Sequence, residues 1–302
     1  TSTNSSIGLI YALKKIFIFK IGINMKKLDF GFIQGRMSVP PSKNILQYFP
    51  KKNWQKEFVH ARMNNFKFIE YFGERKFNGK NPIWTKLGLK KINTLVKRNN
   101  LLNYTFCDDY FINHNFIKSK KFKKYIDVII KNLSSIKIKI YVLALLEKSE
   151  INNENFHYFA HNLRYVSKKL QEKNIKLALE TNLDVKYIKE LISLVDNKNL
   201  FIVYDTGNRL KKKNLQYQEI IELKKLICHV HLKDKNWTGQ NVVLGSGSVD
   251  FKKIFKGLQK INYNGKYTFE TNRGKDPIKT MINNRNMILN IIANLNKINA
   301  RV

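Results

Sequence analysis

The run Ile175-Lys176-Leu177-Ala178-Leu179-Glu180-Thr181-Asn182 is followed, after a helical stretch, by Leu200-Phe201-Ile202-Val203-Tyr204-Asp205-Thr206-Gly207-Asn208. Each is a short apolar segment that runs into one acidic side chain just before a polar turn. Between them Leu191, Leu194 and Val195 recur at helical spacing, so the unit is strand, helix, strand. Downstream the pattern repeats at His229-Val230-His231-Leu232-Lys233-Asp234 and at Thr268-Phe269-Glu270-Thr271-Asn272-Arg273-Gly274. Upstream, the apolar runs Leu28–Gln34, Phe66–Tyr71, Leu101–Cys107 and Lys137–Leu145 alternate with longer helical stretches. Phe159, Leu163, Val166 and Leu170 mark one face of such a helix. Eight short buried strands alternating with helices predict parallel βαβ units closed into a single α/β (β/α)8 TIM barrel.

An open doubly wound sheet would carry a glycine-rich turn after its first strand. The first strand here ends Ile33-Gln34-Gly35-Arg36-Met37-Ser38, with a single glycine, which argues against nucleotide binding at that turn. No low-complexity tract or Pro/Gly/Ser-rich linker divides the 302 residues, so residues 25–302 are expected to form one barrel domain. Residues 1–24 differ: Ile7 to Ile23 is apolar but holds Lys14, Lys15 and Lys20. That segment is too short and too charged for a membrane span and lacks the order of a signal peptide. It is read as an extension outside the fold, with Met25 as the natural start.

The formal net charge is +34, which would attract phosphates, nucleic acid or anionic membranes. Lys is nevertheless spread along the chain with abundant Asn and Ile, and no localised basic stripe carries stacking aromatics. The expectation is a cytoplasmic protein with no specific nucleic-acid partner and no membrane partner, with room for a homo-oligomer. Cys107 and Cys228 both sit in apolar runs and are expected to be reduced, buried thiols.

The strand ends carry the chemistry. Glu180, Asp205, His231 and Glu270 close four consecutive strands, and barrel sites lie at that C-terminal rim. A lone strand-end acid is as readily a helix N-cap or a structural ion pair. Four metal-binding types in succession favour a shared ion. His229 and His231 are two apart and face the same side of their strand. His231 lies nearer the rim and is the expected ligand, with His229 below it as a supporting, packing or substrate-side residue. Three carboxylates and one imidazole suit one divalent ion, Mn2+ before Mg2+, Co2+ or Zn2+. Glu180 and Glu270 would face each other across the mouth. One could remove a proton from a carbon beside a carbonyl while the other returns it.

At these residues the chain resembles the xylose isomerase-like TIM barrel superfamily, in its sugar phosphate isomerase/epimerase branch, from about Met25 onward. The matching pieces are Gln34-Gly35-Arg36, Phe49-Pro50 with Trp54 and Phe58, and Ile69-Glu70-Tyr71. They continue with Glu180-Thr181-Asn182, Asp205-Thr206-Gly207, His229-Val230-His231-Leu232-Lys233-Asp234, Leu244-Gly245-Ser246-Gly247 and Glu270. The resemblance implies that Glu180, Asp205, His231 and Glu270 bind the metal and that Glu180 and Glu270 also move the proton. It implies a metal-dependent isomerase or epimerase acting on a sugar, sugar phosphate or related keto-hydroxy compound through an enediolate. Members commonly have a second His where Asn208 stands, and several epimerases an Arg where Trp237 stands, so the substrate is left open.

Lys233, Arg273 and Arg36 are the candidates for gripping an anionic substrate group, with His229 and Asn208 as further substrate-binding candidates, and Lys233 could equally pair with a neighbouring carboxylate. Glu70 on the second strand reads as structural. The turn Gly245-Ser246-Gly247-Ser248 before a helix near Asp250 could hold a phosphate or be a plain capped turn. His157 and His161 have a zinc-protease spacing without its Glu and are read as surface residues. The rival function is an endonuclease IV-like phosphodiester hydrolase acting on DNA. It needs many inward histidines, and this chain has six in all. A catalytically silent binding barrel is the third reading.

Overall fold

A computed structural model describes residues 28–42, 45–210 and 215–299. The expectations for residues 1–24 and for a start at Met25 fall outside the described residues.

Eight parallel strands close a barrel: β1 (Phe30–Ile33), β2 (Phe68–Gly73), β3 (Thr105–Asp108), β4 (Ile140–Ala144), β5 (Lys176–Glu180), β6 (Leu200–Asp205), β7 (Ile227–Leu232) and β10 (Tyr267–Phe269). Each run read as a strand in the sequence overlaps one of them. Closure is made by β1 against β10, with Phe30, Gly31 and Phe32 beside Tyr267, Thr268 and Phe269. A two-stranded antiparallel hairpin, β8 (Asp234–Lys235) and β9 (Asn241–Val242), leaves the end of β7.

The helices are α1 (Lys56–Met63), α2 (Lys86–Arg98), the single turn α3 (Tyr110–Asn113), α4 (Phe122–Ser135), α5 (Phe156–Gln171), α6 (Val185–Val195), α7 (Leu215–Leu223), α8 (Phe251–Lys260) and α9 (Pro277–Asn299). Their inner faces follow the 3.6-residue period. In α5, Phe159, Leu163, Val166 and Leu170 are buried as expected, while His157 and His161 are exposed. In α6 the buried stripe is Val185, Ile188, Leu191 and Val195. Leu194, expected on that face, is 45% exposed, because the stripe advances by three and four residues and passes it by. The strands are nearly continuous apolar runs because both their faces are covered, by helices outside and by packed side chains within.

The lower barrel is filled with rings. Phe68 and Tyr104 pack 6.2 and 5.9 Å from the His229 ring. Cys107 is buried, Cys228 half-buried, and both are free thiols. No helix among the described residues is long and apolar enough to cross a membrane.

Candidate metal centre and pocket

The four strand-end residues converge. One ligand-type atom each from Glu180, Asp205, His231 and Glu270 lies within 4.8 Å of the others, and all four side chains are buried. Glu180 ends β5, Asp205 ends β6, His231 is the penultimate residue of β7 and Glu270 follows β10. A bulge aligns two of them. The pairing of β6 with β7 begins at Ile202 with Ile227 and then shifts, so that Val203 stands beside His229 and Asp205 beside His231. Without that extra residue on β7, Asp205 would sit beside Val230. Strand side chains alternate faces, so a one-residue slip would turn the imidazole away from the carboxylate.

The four side chains are positioned by their neighbours. Asp205 Oδ1 accepts the backbone N–H groups of Gly207 (2.8 Å) and Asn208 (2.6 Å). Its Oδ2 is buried without a hydrogen-bond donor, 3.6 Å from Lys233 Nζ. Asn208 Nδ2 donates to Glu180 Oε1 at 2.6 Å. Glu270 Oε1 accepts from Lys233 Nζ (2.9 Å) and Gln47 Nε2 (3.3 Å), with an Arg36 guanidinium nitrogen at 3.6 Å. His231 Nδ1 lies 3.1 Å from Glu270 Oε2 and 3.8 Å from Glu180 Oε2. On the other side of the ring, His231 Nε2 is 2.9 Å from Glu70 Oε1. Gly207 makes room for this arrangement: a Cβ there would fall 2.9 Å from the Lys233 stem.

Crowded carboxylates resist ionising together. Burial, followed by the charges of Glu270 and Asp205, pushes the Glu180 carboxyl upward. Burial also pushes Asp205 up, against the pull of Lys233. Burial acts the same way on Glu270, but Lys233, His231 and Arg36 outweigh it and hold that carboxyl well below its ordinary range. Burial disfavours the His231 cation, yet Glu70 and Glu270 raise its pKa well above the ordinary histidine value. This donor set fits a divalent cation. Three carboxylates and an imidazole converge, Asp205 Oδ2 has no donor, and the Nδ1 face of His231 is turned inward by a carboxylate behind it. A second grouping, Glu70 with His229 and His231, is closed by direct contacts. His229 Nε2 lies 2.8 Å from Thr268 Oγ1 and 3.2 Å from Glu70 Oε2.

The remaining expected site residues divide. Lys233 and Asn208 line the cavity above the cluster, which measures about 860 Å3 and also admits Glu180 and Glu270. His229 lies beneath His231, fully buried and turned to Glu70 and Thr268, and does not line the cavity. Arg36 is fully buried, with its guanidinium on Thr271 O, Gln47 Oε1 and Glu270, so it braces a carboxylate from behind. Arg273 ties the first loop down by donating to the carbonyls of Gly35, Ile45 and Leu46, and it does not line this cavity. That loop turns at Gly35, where φ is +91° and a Cβ would fall 1.8 Å from the Tyr48 carbonyl oxygen. Buried Glu57 caps it, accepting from Gly35 N, Met37 N and Ser38 Oγ.

The turn at Gly245–Val249 is already filled from within. Asp234 accepts the backbone N–H groups of Gly245, Gly247 and Val249, which are the donors a phosphate would have used. Glu70, read as structural from the sequence, is the buried acid that stands directly behind His231. It lies within β2, fully buried, and nothing along the sequence says that it faces β7 across the barrel. An acid in an otherwise apolar strand was the available signal.

A closed (β/α)8 barrel with a buried carboxylate–imidazole cluster at the C-terminal ends of consecutive strands defines the class of protein. Residues 58–290 match the model of the xylose isomerase-like TIM barrel family, and the chain belongs to that family. An inosose dehydratase of Clostridium botulinum (strain Eklund 17B / Type B) is 26% identical over 141 residues, covering 39% of this chain and 47% of that relative. An inosose dehydratase of Clostridium tetani (strain Massachusetts / E88) is 27% identical over 180 residues, covering 50% of this chain and 59% of the relative. The chain thus spans about half the length of the curated relatives it matches. Among solved structures, an L-ribulose 3-epimerase superposes with a TM-score of 0.72 at 14% identity, covering 90% of this chain and 96% of the other.

Proposed function

We propose that the protein is a divalent-metal-dependent isomerase or epimerase of a sugar or related keto-hydroxy compound, working by proton transfer at the carbon beside a carbonyl. The observation that carries this reading is the convergence of Glu180, Asp205, His231 and Glu270 within 4.8 Å at the floor of an open cavity. Those four residues would hold the ion. A bound divalent cation would polarise the substrate carbonyl and lower the cost of an enediolate. The chain's own groups do the rest. Glu180 and Glu270 present carboxylates from β5 and β10, so that one takes the proton and the other returns it. Asn208 orients Glu180, and Lys233 with Gln47 orients Glu270. The Lys233 ammonium also sits where it can offset charge developing on a substrate oxygen.

A second reading shares the first step. Two relatives that match over part of the chain are inosose dehydratases. Loss of a hydroxyl β to the carbonyl from the same enediolate would give dehydration in place of epimerisation. The DNA-hydrolase reading is disfavoured because His229 is turned to Glu70 and Thr268 and only His231 reaches the cluster.

The test loads chelator-treated protein with Mn2+ and incubates it in D2O with ketohexoses, ketohexose phosphates and a keto-inositol. Deuterium is expected at the carbon beside the carbonyl, together with uptake of about one ion per chain. Glu180→Gln and Glu270→Gln should each lower the exchange rate roughly 10²–10⁴-fold. His231→Ala should weaken ion uptake. An unsaturated product in place of an epimer would select the dehydratase. Absence of exchange with every substrate, or undiminished metal uptake by His231→Ala, would sink the proposal.

A further inference from the structure

Two consecutive acids, Asp108 at the end of β3 and Asp109 just after it, follow Cys107, and the fold treats them differently. Asp108 is fully employed. Its Oδ1 accepts from Tyr110 N (3.0 Å) and the Tyr125 hydroxyl (2.9 Å), and its Oδ2 accepts from the Tyr141 hydroxyl. Asp109 is only 4% exposed, yet its carboxylate has almost nothing to hold. It stands at the N-cap position of α3 but makes no capping hydrogen bond. Among the described residues its one side-chain contact of this kind is a long one from the Cys107 thiol, at 3.8 Å. The cations that act on it through space are committed elsewhere. Arg75 forms a two-pronged pair with Glu147 at 2.8 and 3.0 Å, and Lys233 pairs with Glu270.

Burying a carboxylate without a partner costs several kcal/mol on general grounds. Here the unemployed group lines the same cavity as Glu180, Glu270, Asn182, Asn208 and Lys233. The barrel order puts it across the mouth. The cluster occupies β10, β7, β6 and β5, whereas β3 lies on the opposite arc beyond β4. A ligand whose reacting carbons rest on the cluster would reach Asp109 with the far part of its chain. Hydroxyl groups satisfy a carboxylate without bringing charge, whereas a phosphate placed there would be repelled.

We propose that Asp109 is a substrate-contacting specificity residue that receives hydrogen bonds from hydroxyl groups of a polyhydroxylated chain beyond the reacting carbons. The assignment rests on the keto-sugar reading above. Burial, reinforced by the charge of Glu270, pushes the Asp109 carboxyl up to about 7, which suits a group that exchanges hydrogen bonds with neutral hydroxyls.

Two measurements on Asp109→Asn test it. Melting of the ligand-free chain should be unchanged or higher, because a buried charge has been removed; a fall of more than about 4 °C would show a structural duty and overturn the proposal. In the Mn2+-loaded enzyme, proton exchange is compared between D-fructose, which has the far hydroxyls, and dihydroxyacetone, which lacks them. The variant's D-fructose to dihydroxyacetone ratio of kcat/KM should drop roughly tenfold to a hundredfold, carried by KM. An unchanged ratio would overturn the proposal. Wild-type protein that exchanges with neither compound, nor with the ketohexose phosphates and keto-inositol named above, would instead refute the keto-sugar reading, and the melting result would still decide whether the Asp109 carboxylate is structural.

Discussion

Replacing Glu70 by Gln probes how the imidazole of the centre is aimed. Glu70 Oε1 sits 2.9 Å from His231 Nε2, while Oε2 lies 3.2 Å from both His229 Nε2 and Thr268 Oγ1. All of these side chains are fully buried, so no water can stand in for a lost partner. Gln keeps the shape but exchanges one acceptor oxygen for a donor NH2, which leaves at least one imidazole N–H or the Thr268 hydroxyl facing the wrong group. Losing the carboxylate behind a metal-binding histidine typically weakens the metal by about 10–100-fold, or roughly 1.4–2.8 kcal/mol. One buried donor left unsatisfied costs a further 1–3 kcal/mol or so of folding stability. In a chain of this length that lowers Tm by about 2–5 °C. Mn2+ titration calorimetry on chelator-treated protein reads the first quantity, and thermal melting without metal reads the second. There is also a pH signature. Burial raises the Glu70 pKa, but His231 and His229 outweigh it and hold the carboxyl well below its ordinary value. The stabilisation is therefore present above the usual carboxylate range and lost as pH falls toward the folded value, and Glu70→Gln should flatten that acid limb. Wild-type Mn2+ affinity in Glu70→Gln would refute the idea that this carboxylate positions His231.

Two further outcomes follow from buried groups around the site. Burial outweighs the hydrogen bonds that Gly35, Ser38 and Met37 donate to Glu57 and raises its pKa from 4.5 to about 7. The folded state then binds the extra proton between those values, so stability should decline as pH rises from about 4.5 to about 7, and Glu57→Gln should remove the decline in urea melts across that range. Arg209 is 2% exposed, grips Glu219 with two nitrogens and donates to the carbonyls of Thr181 and Leu183. Arg209→Met strands all three acceptors and should cost about 2–4 kcal/mol by denaturant unfolding; a loss below about 1 kcal/mol would show that the loop after β5 does not depend on it.

Much of the site was legible because barrel chemistry lies at strand ends, which polar turns mark in the sequence. Glu180, Asp205, His231 and Glu270 each close an apolar run, and the structure brings the four together. The cationic residues were less legible. A strand-end Arg looks the same in sequence whether it reaches a ligand or braces the scaffold. Arg36 is spent on Gln47 in its own loop and on Glu270 and a carbonyl at the far end of the chain, and Arg273 on three carbonyls of the first loop, contacts that the linear sequence does not show. The Gly245–Gly247 turn was ambiguous for the same reason, since its N–H groups could serve a phosphate or a carboxylate, and Asp234 supplies the carboxylate.

By itself the sequence determined the alternation of strand and helix, the closure into a barrel and the four side chains at the rim. These follow from local hydrophobic period and from turn chemistry, which act over a few residues. Tertiary structure alone decided which acid stands behind His231, which of the two acids after Cys107 is left without work, and whether Asp205 and His231 share a face. That last point turns on one extra residue in the pairing of β6 with β7. Register is a property of two strands together, and a slip of one position changes every facing pair without changing the apolar pattern of either strand.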